Sequence, residues 1–218
     1  MTDFQNTIDL LGDDVVARAI AKKTISEFND DKLTSIKKYA FYSCPDLKSV
    51  DLPNVTSIGE NAFEDCDMLT SVNFKNVTSI GKYAFMSCAA LANVNFPNVT
   101  SVVDSAFRGC TSLTSVDLPN VTRMPYQVFY GCSQLTTVIL RSTTLCENSS
   151  GYNLMNTPFY TGGQGGTLLV PRDLVENYKT ATTWKTLWDY GHNRFLALED
   201  YTIDGTITGE IDWDKLNG

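Results

Sequence analysis

Residues 33–142 consist of a 22-residue unit that is repeated five times without a gap. The three central copies, residues 55–76, 77–98 and 99–120, all begin with Val-Thr-Ser and end with Asn. Eight columns of the alignment hold an apolar residue in every copy. They begin at Leu33, Ile36, Ala40, Phe41, Cys44, Leu47, Val50 and Leu52. A strict period with fixed apolar columns predicts stacked coils, each of which buries its apolar face against its neighbours.

Each unit contains one segment with the character of a strand. In residues 69–74, Val72 and Phe74 alternate with Ser71 and Asn73, which predicts a short strand with the apolar pair inward and the polar pair outward. Copies in successive coils would pair in parallel about 4.8 Å apart, so five coils would build a sheet about 20 Å tall. The rest of the unit predicts a turn or a second short strand, then a single helical turn. The Asn that ends the unit is placed to satisfy backbone groups of the turn.

The repeat motif resembles that of a known family. Leu-x-x-Val-x-Leu/Phe-x-Asn followed by Val-Thr-Ser-Ile-Gly-x-x-Ala-Phe-x-x-Cys is similar to the BspA-like class of leucine-rich repeats. The resemblance implies a β-rich, right-handed leucine-rich-repeat solenoid of five coils, found on proteins that are displayed at bacterial surfaces and bind host proteins or other cells. Similar repeats also occur in proteins of phages and some protozoa. The last copy departs from the motif at Pro125, Val128 and Ser142, which predicts a less regular final coil.

The segments on either side of the repeats are predicted to cap the stack, because the end coils of a solenoid expose apolar faces. Residues 1–32 are interpreted as an N-terminal cap, with a short helix at 13–21 and a strand-like segment at 24–28. Residues 143–200 are interpreted as an α/β C-terminal cap, since the period fails there and the chain becomes rich in Trp.

The C-terminal cap is predicted to contain a strand at 167–170 and one amphipathic helix at 172–190. The apolar stripe of this helix is Leu174, Tyr178, Ala181 and Trp188, with Val175, Trp184 and Leu187 alongside. The acidic tail, residues 201–218, has Asp204-Gly205 between alternating residues, which predicts a hairpin. This hairpin is interpreted as a terminal appendage.

The net charge of −8 is carried by the flanks. Residues 33–142 hold eight Lys/Arg and eight Asp/Glu, whereas residues 1–32 hold four and seven and residues 143–218 hold five and ten. Binding to nucleic acid or to an anionic membrane would require a basic stripe, and the sequence has none. No apolar run approaches the roughly 18 residues of a membrane span, so no membrane insertion is expected. The acidic N-terminus predicts no secretion signal.

Residue types that carry catalysis are few. The single histidine, His192, stands between Gly191 and Asn193 and is interpreted as a loop residue. The Gly-Gly-Gln-Gly-Gly run at 162–166 lacks the Lys and Ser/Thr that complete a phosphate-binding loop, so it is interpreted as a flexible turn. The sequence therefore predicts no enzyme activity and no cofactor.

Five of the six cysteines form one column of the repeat, which is Cys44, Cys66, Cys88, Cys110 and Cys132. Even spacing along a stack does not supply the close thiolates of a metal site, and parallel Cβ vectors suit a disulfide poorly. Free, buried thiols that pack as small apolar side chains are therefore expected. Cys146 lies outside the column and is expected to be the most reactive.

Two sets of variable positions are candidates for partner binding. The first is the strand face, the outward positions of the predicted strands. Its central residues are Asp51, Asn73, Asn95 and Asp117, and its fifth-coil residues are Thr137, Ile139 and Arg141. The second is the tyrosine strip, which holds Tyr39, Tyr42, Tyr83, Met86, Tyr126 and Tyr130. Tyrosine offers amphipathic contact area, which favours recognition, although such rings also serve to cover loop edges.

These features favour a recognition module that binds a protein or a glycan. The resemblance places that role in surface adhesion or host recognition, on a bacterial surface or a phage virion and therefore outside the cell. The alternative is a structural or oligomerisation module of a larger appendage. An enzyme is the least favoured class, although the fold alone does not exclude one.

Overall fold

Two sets of parallel strands recur along the chain. The strands of the longer set have three or four residues, and those of the shorter set have two. The computed structural model describes residues 25–148, 154, 157, 159, 165–189 and 192–217, so the helix predicted at 13–21 lies outside the described residues. The long strands are β1 (Glu27–Asn29), β3 (Ser49–Asp51), β5 (Ser71–Asn73), β7 (Asn93–Asn95), β9 (Ser115–Leu118), β11 (Thr137–Leu140), β13 (Thr167–Val170) and β14 (Arg194–Ala197). The short strands are β2 (Ser35–Ile36), β4 (Ser57–Ile58), β6 (Ser79–Ile80), β8 (Ser101–Val102), β10 (Arg123–Met124) and β12 (Glu147–Asn148).

Strands of successive coils pair in parallel. Val50 lies opposite Val72 and Val94 lies opposite Val116, which is the 22-residue register of the repeat. Strand β1 pairs with β3 at the same offset, with Phe28 opposite Val50, so the stack begins one turn before residue 33. Strands β13 and β14 continue the same sheet beyond β11. The predicted parallel solenoid is confirmed, but it has about six turns rather than five.

The apolar columns of the repeat form the core. Every member is buried except Leu33, Ala40 and Val72, which are partly buried. The phenylalanines of one column stack ring on ring. The rings of Phe63 and Phe85, for example, have centroids 5.2 Å apart and planes that differ by 7°. The core therefore runs continuously through the stack, and each coil completes the packing of the next.

The asparagine that ends each unit ties neighbouring coils together. The Nδ2 of Asn76 donates to the carbonyl oxygen of Pro53, and the Nδ2 of Asn98 donates to that of Lys75, both at 2.8 Å. Asn54 and Asn120 make the equivalent bonds. The predicted role of these side chains in satisfying backbone groups is confirmed.

The return segment of each coil makes successive turns instead of the predicted single helical turn. In the first coil Tyr39, Phe41 and Ser43 donate their N–H groups to carbonyls of the second coil, at 3.0, 2.7 and 2.8 Å. Ala40 and Tyr42 donate within their own coil. Tyr39 and Ser43 have φ values of 61° and 56°, and the equivalent residues of the other coils also have positive φ. The helical prediction was wrong because these inter-coil hydrogen bonds require left-handed residues, which a helix excludes.

Between residues 172 and 189 of the C-terminal cap, three short helical segments stand in place of the single helix predicted at 172–190. A 3-10 helix (Arg172–Leu174) leads into α1 (Val175–Thr180), and α2 (Thr182–Asp189) follows. Ala181 separates α1 from α2, because its ψ of 130° is extended. The break interrupts the phase of the predicted apolar stripe.

Tyr178 and Trp184 attach the cap to the end of the repeats. The hydroxyl of Tyr178 accepts a hydrogen bond from the backbone N–H of Cys146 at 2.8 Å, and Trp184 Nε1 donates to the Cys146 carbonyl at 2.7 Å. Tyr178, Trp184 and Leu187 are buried, whereas Trp188 is 37% exposed. The inclusion of Trp188 in the apolar stripe was wrong, because the break at Ala181 shifts the phase of the helix and α2 buries Trp184 and Leu187 instead.

Residues 201–217, called the C-terminal segment below, pack on the strand face instead of forming the predicted appendage. Thr202 and Ile211 make a single antiparallel bridge, and the short helix α3 (Trp213–Asn217) follows. A second apolar cluster joins this segment to the sheet; it consists of Ile139, Leu169, Leu198, Ile211 and Leu216. Ile139 is therefore buried, and the expectation that this strand-face residue is exposed was wrong.

Candidate binding surfaces

The strand face follows the long strands as a column of polar side chains. Asp51 lies opposite Asn73, and Asn95 lies opposite Asp117, in the register of the paired strands. The Nδ2 of Asn73 donates to Oδ1 of Asp51 at 2.7 Å. Strands β5 and β7 are neighbours, yet no backbone hydrogen bond pairs these two described strands. The four predicted residues thus form two pairs, with a break in the strand ladder between them.

An open groove of about 1620 Å³ lies over this break and over the coils that follow it. Its floor includes side chains from Ser71 in the second coil to Thr137 in the fifth. Four strands at the usual spacing correspond to about 14 Å along the stack. The C-terminal segment lines the groove with residues 207–211 and Trp213. The groove is therefore built by the repeats and by a segment that the repeats do not predict.

Two of the four central strand-face residues line this groove. Asn95 and Asp117 do so, whereas Asp51 lies on the strand before it and Asn73 lies on β5 without lining it. The Asn95 side chain is exposed, and it makes no hydrogen bond to any residue that the structure describes. Asn95 can therefore donate and accept hydrogen bonds with a partner without giving up a contact of its own.

Arg141 fixes the C-terminal segment to the repeats. Its Nε and Nη2 donate to the carboxylate of Asp117, at 3.0 and 2.7 Å, and its Nη1 donates to the carbonyls of Ile207 and Gly209, at 2.6 and 2.8 Å. Only 11% of the Arg141 side chain is exposed, and a charge so buried depends on a full set of partners. Thr137 is buried beside it. The expectation that Arg141 and Thr137 are exposed was wrong. The carboxylate of Asp117 is used in the ion pair with Arg141.

Trp213 and Glu210 line the groove and were not among the residues proposed from the sequence. Trp213 is 42% exposed, and its indole makes no hydrogen bond or ring contact with the described residues. The Glu210 carboxylate likewise has no hydrogen bond or ion pair within the described part of the chain. The sequence contains one indication of this covering segment. Ile139 is apolar in a column that otherwise holds Asp or Asn, which indicates that another segment covers the fifth coil.

The tyrosine strip lies on the return segments, and most of its rings are partly buried. Of its five tyrosines only Tyr126, at 45%, is exposed; the others are partly buried. Tyr39 and Tyr42 meet edge to face with their centroids 5.6 Å apart. The tyrosines of the first, third and fifth coils are about 10 Å apart, because one coil lies between each set. Tyr39 and Tyr42 are thus in contact, whereas whole coils separate them from Tyr83 and separate Tyr83 from the tyrosines of the fifth coil.

Three rings of the strip carry a cation of the same chain over one face. These pairs are Lys38 with Tyr39, Lys82 with Tyr83 and Arg108 with Tyr130, at 4.9, 4.8 and 5.0 Å from the ring centroid. A cation in this position is attracted to the ring and shields that face from another molecule. These contacts favour the interpretation in which the rings cover loop edges.

The described glycines of the glycine run and His192 make close contacts within the C-terminal cap. A Cβ on Gly165, whose φ is +74°, would lie 2.0 Å from the His192 carbonyl oxygen. The N–H of Gly166 donates to Oδ1 of Asn193 at 2.7 Å, and the Nδ2 of Asn193 donates to the carbonyls of Leu187 and Phe159. Gly165 therefore permits a close approach of two backbone segments within the cap.

Among the described residues, no three or more His, Cys, Asp or Glu side chains are grouped so that they could hold a metal ion. No described helix is long and apolar enough to cross a membrane.

The cysteine column is buried, and its thiols are hydrogen bonded. The Sγ of Cys88 donates to the carbonyl oxygen of Phe63 in the preceding coil at 3.0 Å, and Cys66, Cys110 and Cys132 make the equivalent bond. All six cysteines are free and buried, so the prediction for the column is confirmed. Cys146, which the sequence predicts to be the most reactive of the six thiols, is buried as well. Contact with the cap buries it, and burial raises the pKa of its thiol to about 12.

We expect none of the six thiols to react with a polar maleimide in the native protein at pH 8. A thiol reacts as the thiolate, burial raises the pKa of the Cys146 thiol, and all six cysteines are out of solvent. Intact mass measured after timed labelling should show no adduct, whereas protein unfolded in guanidinium should show six. Fast labelling of a single thiol in the native state, traced to Cys146, would contradict the docked position of the cap.

Comparison with protein families agrees with this geometry. A model of the BspA type leucine-rich repeat region matches residues 21–153, in six copies. The match begins before residue 33 and ends after residue 142, as the additional turns of the structure do. No curated protein matches the sequence.

Solved structures of leucine-rich repeat proteins share the fold. A leucine-rich cell surface protein from Faecalibacterium prausnitzii is 29% identical, and the match covers 60% of this chain and 34% of that one, with a TM-score of 0.52. A leucine-rich repeat protein from Bacteroides ovatus is 20% identical over 84% and 54% of the two chains, with a TM-score of 0.52. The pneumococcal vaccine antigen PcpA is 13% identical over 81% and 42%, with a TM-score of 0.56. The chain spans about a third to about half of these proteins.

The family match rests on the features that build the core. It covers more than half of the chain and includes the buried phenylalanine, leucine and cysteine columns of the stacked coils. The protein belongs to the BspA-type leucine-rich repeat family.

Proposed function

We propose that the chain is a non-enzymatic recognition module that binds a protein or a glycan in the strand-face groove. The proposed setting is adhesion or host recognition, at a bacterial surface or on a phage virion. The observation that carries the proposal is the open groove of about 1620 Å³, which crosses four coils and ends at the C-terminal segment. The family is consistent with a protein-binding role, and the similar protein from F. prausnitzii is described as a cell surface protein.

The groove is a better candidate than the tyrosine strip for two physical reasons. Its polar side chains include Asn95 and Glu210, which have no partner within the described structure, whereas Tyr39, Tyr83 and Tyr130 already have a cation over one face. Ligand sites are usually concave because a groove removes much of a ligand's area from water, and the strip offers partly buried rings on several coils instead. Binding in the groove therefore costs fewer existing contacts and buries more of the partner.

The charge of the groove limits the class of partner. Among the described residues that line it, Arg141 is the single cation, and its donors are used by Asp117 and two carbonyls. A site for nucleic acid needs several free cations to meet phosphates. A neutral or weakly charged partner fits this surface.

A bulky side chain at Asn95 is expected to weaken partner binding at least about tenfold, because Trp at this exposed floor position would occupy the groove. Asn95→Trp would be compared with Ser101→Trp, the same change at an exposed position on β8 outside the groove. Surface material from candidate host cells would be passed over each immobilised variant, and one captured component would then be titrated. Equal affinity of the two variants would contradict recognition in the groove.

The tyrosine strip supplies a second comparison in the same assay. Replacement of Tyr39, Tyr83 and Tyr130 together by Ser is expected to leave the affinity within about threefold of the wild type, provided that circular dichroism shows an intact fold. If this variant loses binding while Asn95→Trp retains it, the partner lies on the strip.

An oligomerisation role is favoured by one feature, the end of the sheet. Strand β14 pairs with β13 and with no other described strand, and a free parallel edge is able to recruit another strand. Sedimentation of the purified chain separates the two functions. A monomer that captures a partner supports recognition, whereas a stable oligomer without a captured partner supports the structural role.

A further inference from the structure

We infer that the ligand of the groove is a neutral oligosaccharide, with Trp213 as the surface on which a sugar ring stacks. This inference rests on the proposed function of the groove and names the class of ligand. It follows from the exposed indole, from the hydrogen-bonding groups of the floor and from the balance of charge. These observations are independent of one another.

Trp213 is placed as a binding platform rather than as a core residue. It begins helix α3, whose Leu216 is buried against the sheet, while the indole of Trp213 remains 42% exposed and lines the groove. Within the described structure the indole has no hydrogen bond, ring contact or cation over its face. An exposed aromatic face attracts the C–H groups of a pyranose ring, because its electron-rich centre meets their partial positive charge. The buried Leu216 fixes the helix that presents the ring.

The rest of the groove offers the polar partners that hydroxyl groups need. Asn95 supplies an amide with two donors and one acceptor, Ser71 supplies a hydroxyl, and Glu210 supplies a carboxylate. All three are exposed, and none has a side-chain hydrogen bond to the described residues. A vicinal diol donates and accepts at once, so amide and carboxylate groups match it well. A few placed polar groups beside an apolar surface are typical of small-ligand sites.

The charge of the groove disfavours acidic glycans and nucleic acid. Arg141 is the one cation among its described lining residues, and its guanidinium is engaged by Asp117 and by the carbonyls of Ile207 and Gly209. The Glu210 carboxylate has no partner among the described residues and would repel a sulfate or a sialic acid. A neutral sugar chain avoids this repulsion.

The direction of the groove disfavours a peptide that binds as an added strand. Such a peptide lies alongside a free sheet edge and pairs with its backbone. The groove instead crosses β5, β7, β9 and β11, so a ligand that follows it lies across the strands and meets mainly side chains. Each residue of a peptide in this position would lose water from backbone groups that the groove pairs incompletely. An oligosaccharide has no backbone amide groups that each need a hydrogen-bond partner.

The test uses the whole chain on an array of immobilised oligosaccharides, both neutral and acidic. The best-bound neutral oligosaccharide is then titrated in solution against four proteins: the wild type, Trp213→Ala, Trp213→Phe and Trp188→Ala. We expect Trp213→Ala to weaken binding about tenfold or more, Trp213→Phe to retain part of the affinity, and Trp188→Ala to match the wild type. Trp188 is the matched control, since it is a partly exposed tryptophan that packs against Phe195 outside the groove.

Three results would overturn the inference: no neutral oligosaccharide bound, acidic oligosaccharides bound in preference, or Trp213→Ala equal to the wild type. A parallel capture with enzymatically deglycosylated surface proteins distinguishes this failure from failure of the proposed function. If deglycosylated protein is still captured and Asn95→Trp abolishes that capture, the groove recognises a polypeptide and the sugar assignment is wrong. If neither sugar nor protein is bound, both proposals fail.

Discussion

Replacement of Phe85 by alanine is expected to lower the free energy of unfolding by about 3–5 kcal/mol. Phe85 is fully buried in the third coil, and its ring stacks between Phe63 and Phe107 at centroid distances of 5.2 and 5.3 Å. The flanking rings are fixed by the backbones of their own coils, so they cannot close the cavity that the change creates. Equilibrium unfolding in guanidinium, followed by circular dichroism, measures the loss.

Asn95→Ala is the matched control for this prediction. Asn95 belongs to the adjacent long strand of the same coil, yet its side chain is exposed and makes no hydrogen bond to the described residues. Its loss is expected to change the free energy of unfolding by no more than about 0.5 kcal/mol. Similar melting temperatures for the two variants would contradict the assignment of the phenylalanine column to the core.

Leu216→Ala is expected to weaken the docking of the C-terminal segment by about 2–5 kcal/mol. Leu216 packs with Ile139 and Ile211 in the apolar cluster that joins this segment to the sheet. The change should raise the population in which residues 201–217 are detached, because local opening depends on the free energy of this contact. Limited proteolysis, with the cleavage sites identified by mass spectrometry, measures that population.

Ile203→Ala in the same segment provides the control. Ile203 is 67% exposed, so its truncation should leave the rate of cleavage near that of the wild type. If Leu216→Ala is cleaved no faster than Ile203→Ala, the C-terminal segment is not held by the apolar cluster, and the end of the groove is not fixed.

The repeated part of the fold was predictable because each position of the 22-residue unit occurs five times in the sequence. A single Phe at position 85 says little, but the same residue type at Phe41, Phe63, Phe107 and Phe129 identifies a buried column. Stacking of equal coils then fixes which side chains face outward, as at Asn95. The left-handed turns were missed, because Tyr39 and Ser43 are not residues that usually indicate positive φ.

The remainder depends on contacts between segments that do not repeat. Arg141 binds the carbonyls of Ile207 and Gly209, which lie more than sixty residues further along the chain, and no periodic pattern records that contact. The position of Cys146 outside the column predicts that it is the most reactive thiol, yet the cap residues Tyr178 and Trp184 bond to its backbone and it is buried. The groove combines both kinds of structure. Its floor was predictable, whereas the segment with Trp213 was not.

Oxidative footprinting of the chain, with and without a bound partner, tests the central claim most directly. Trp213 in the groove and Tyr126 on the tyrosine strip have similar exposures, 42% and 45%, so each reports on its own surface in one experiment. Recognition in the groove predicts that the partner protects Trp213 from hydroxyl radicals and leaves the oxidation of Tyr126 unchanged. Protection of Tyr126 with full oxidation of Trp213 would contradict it.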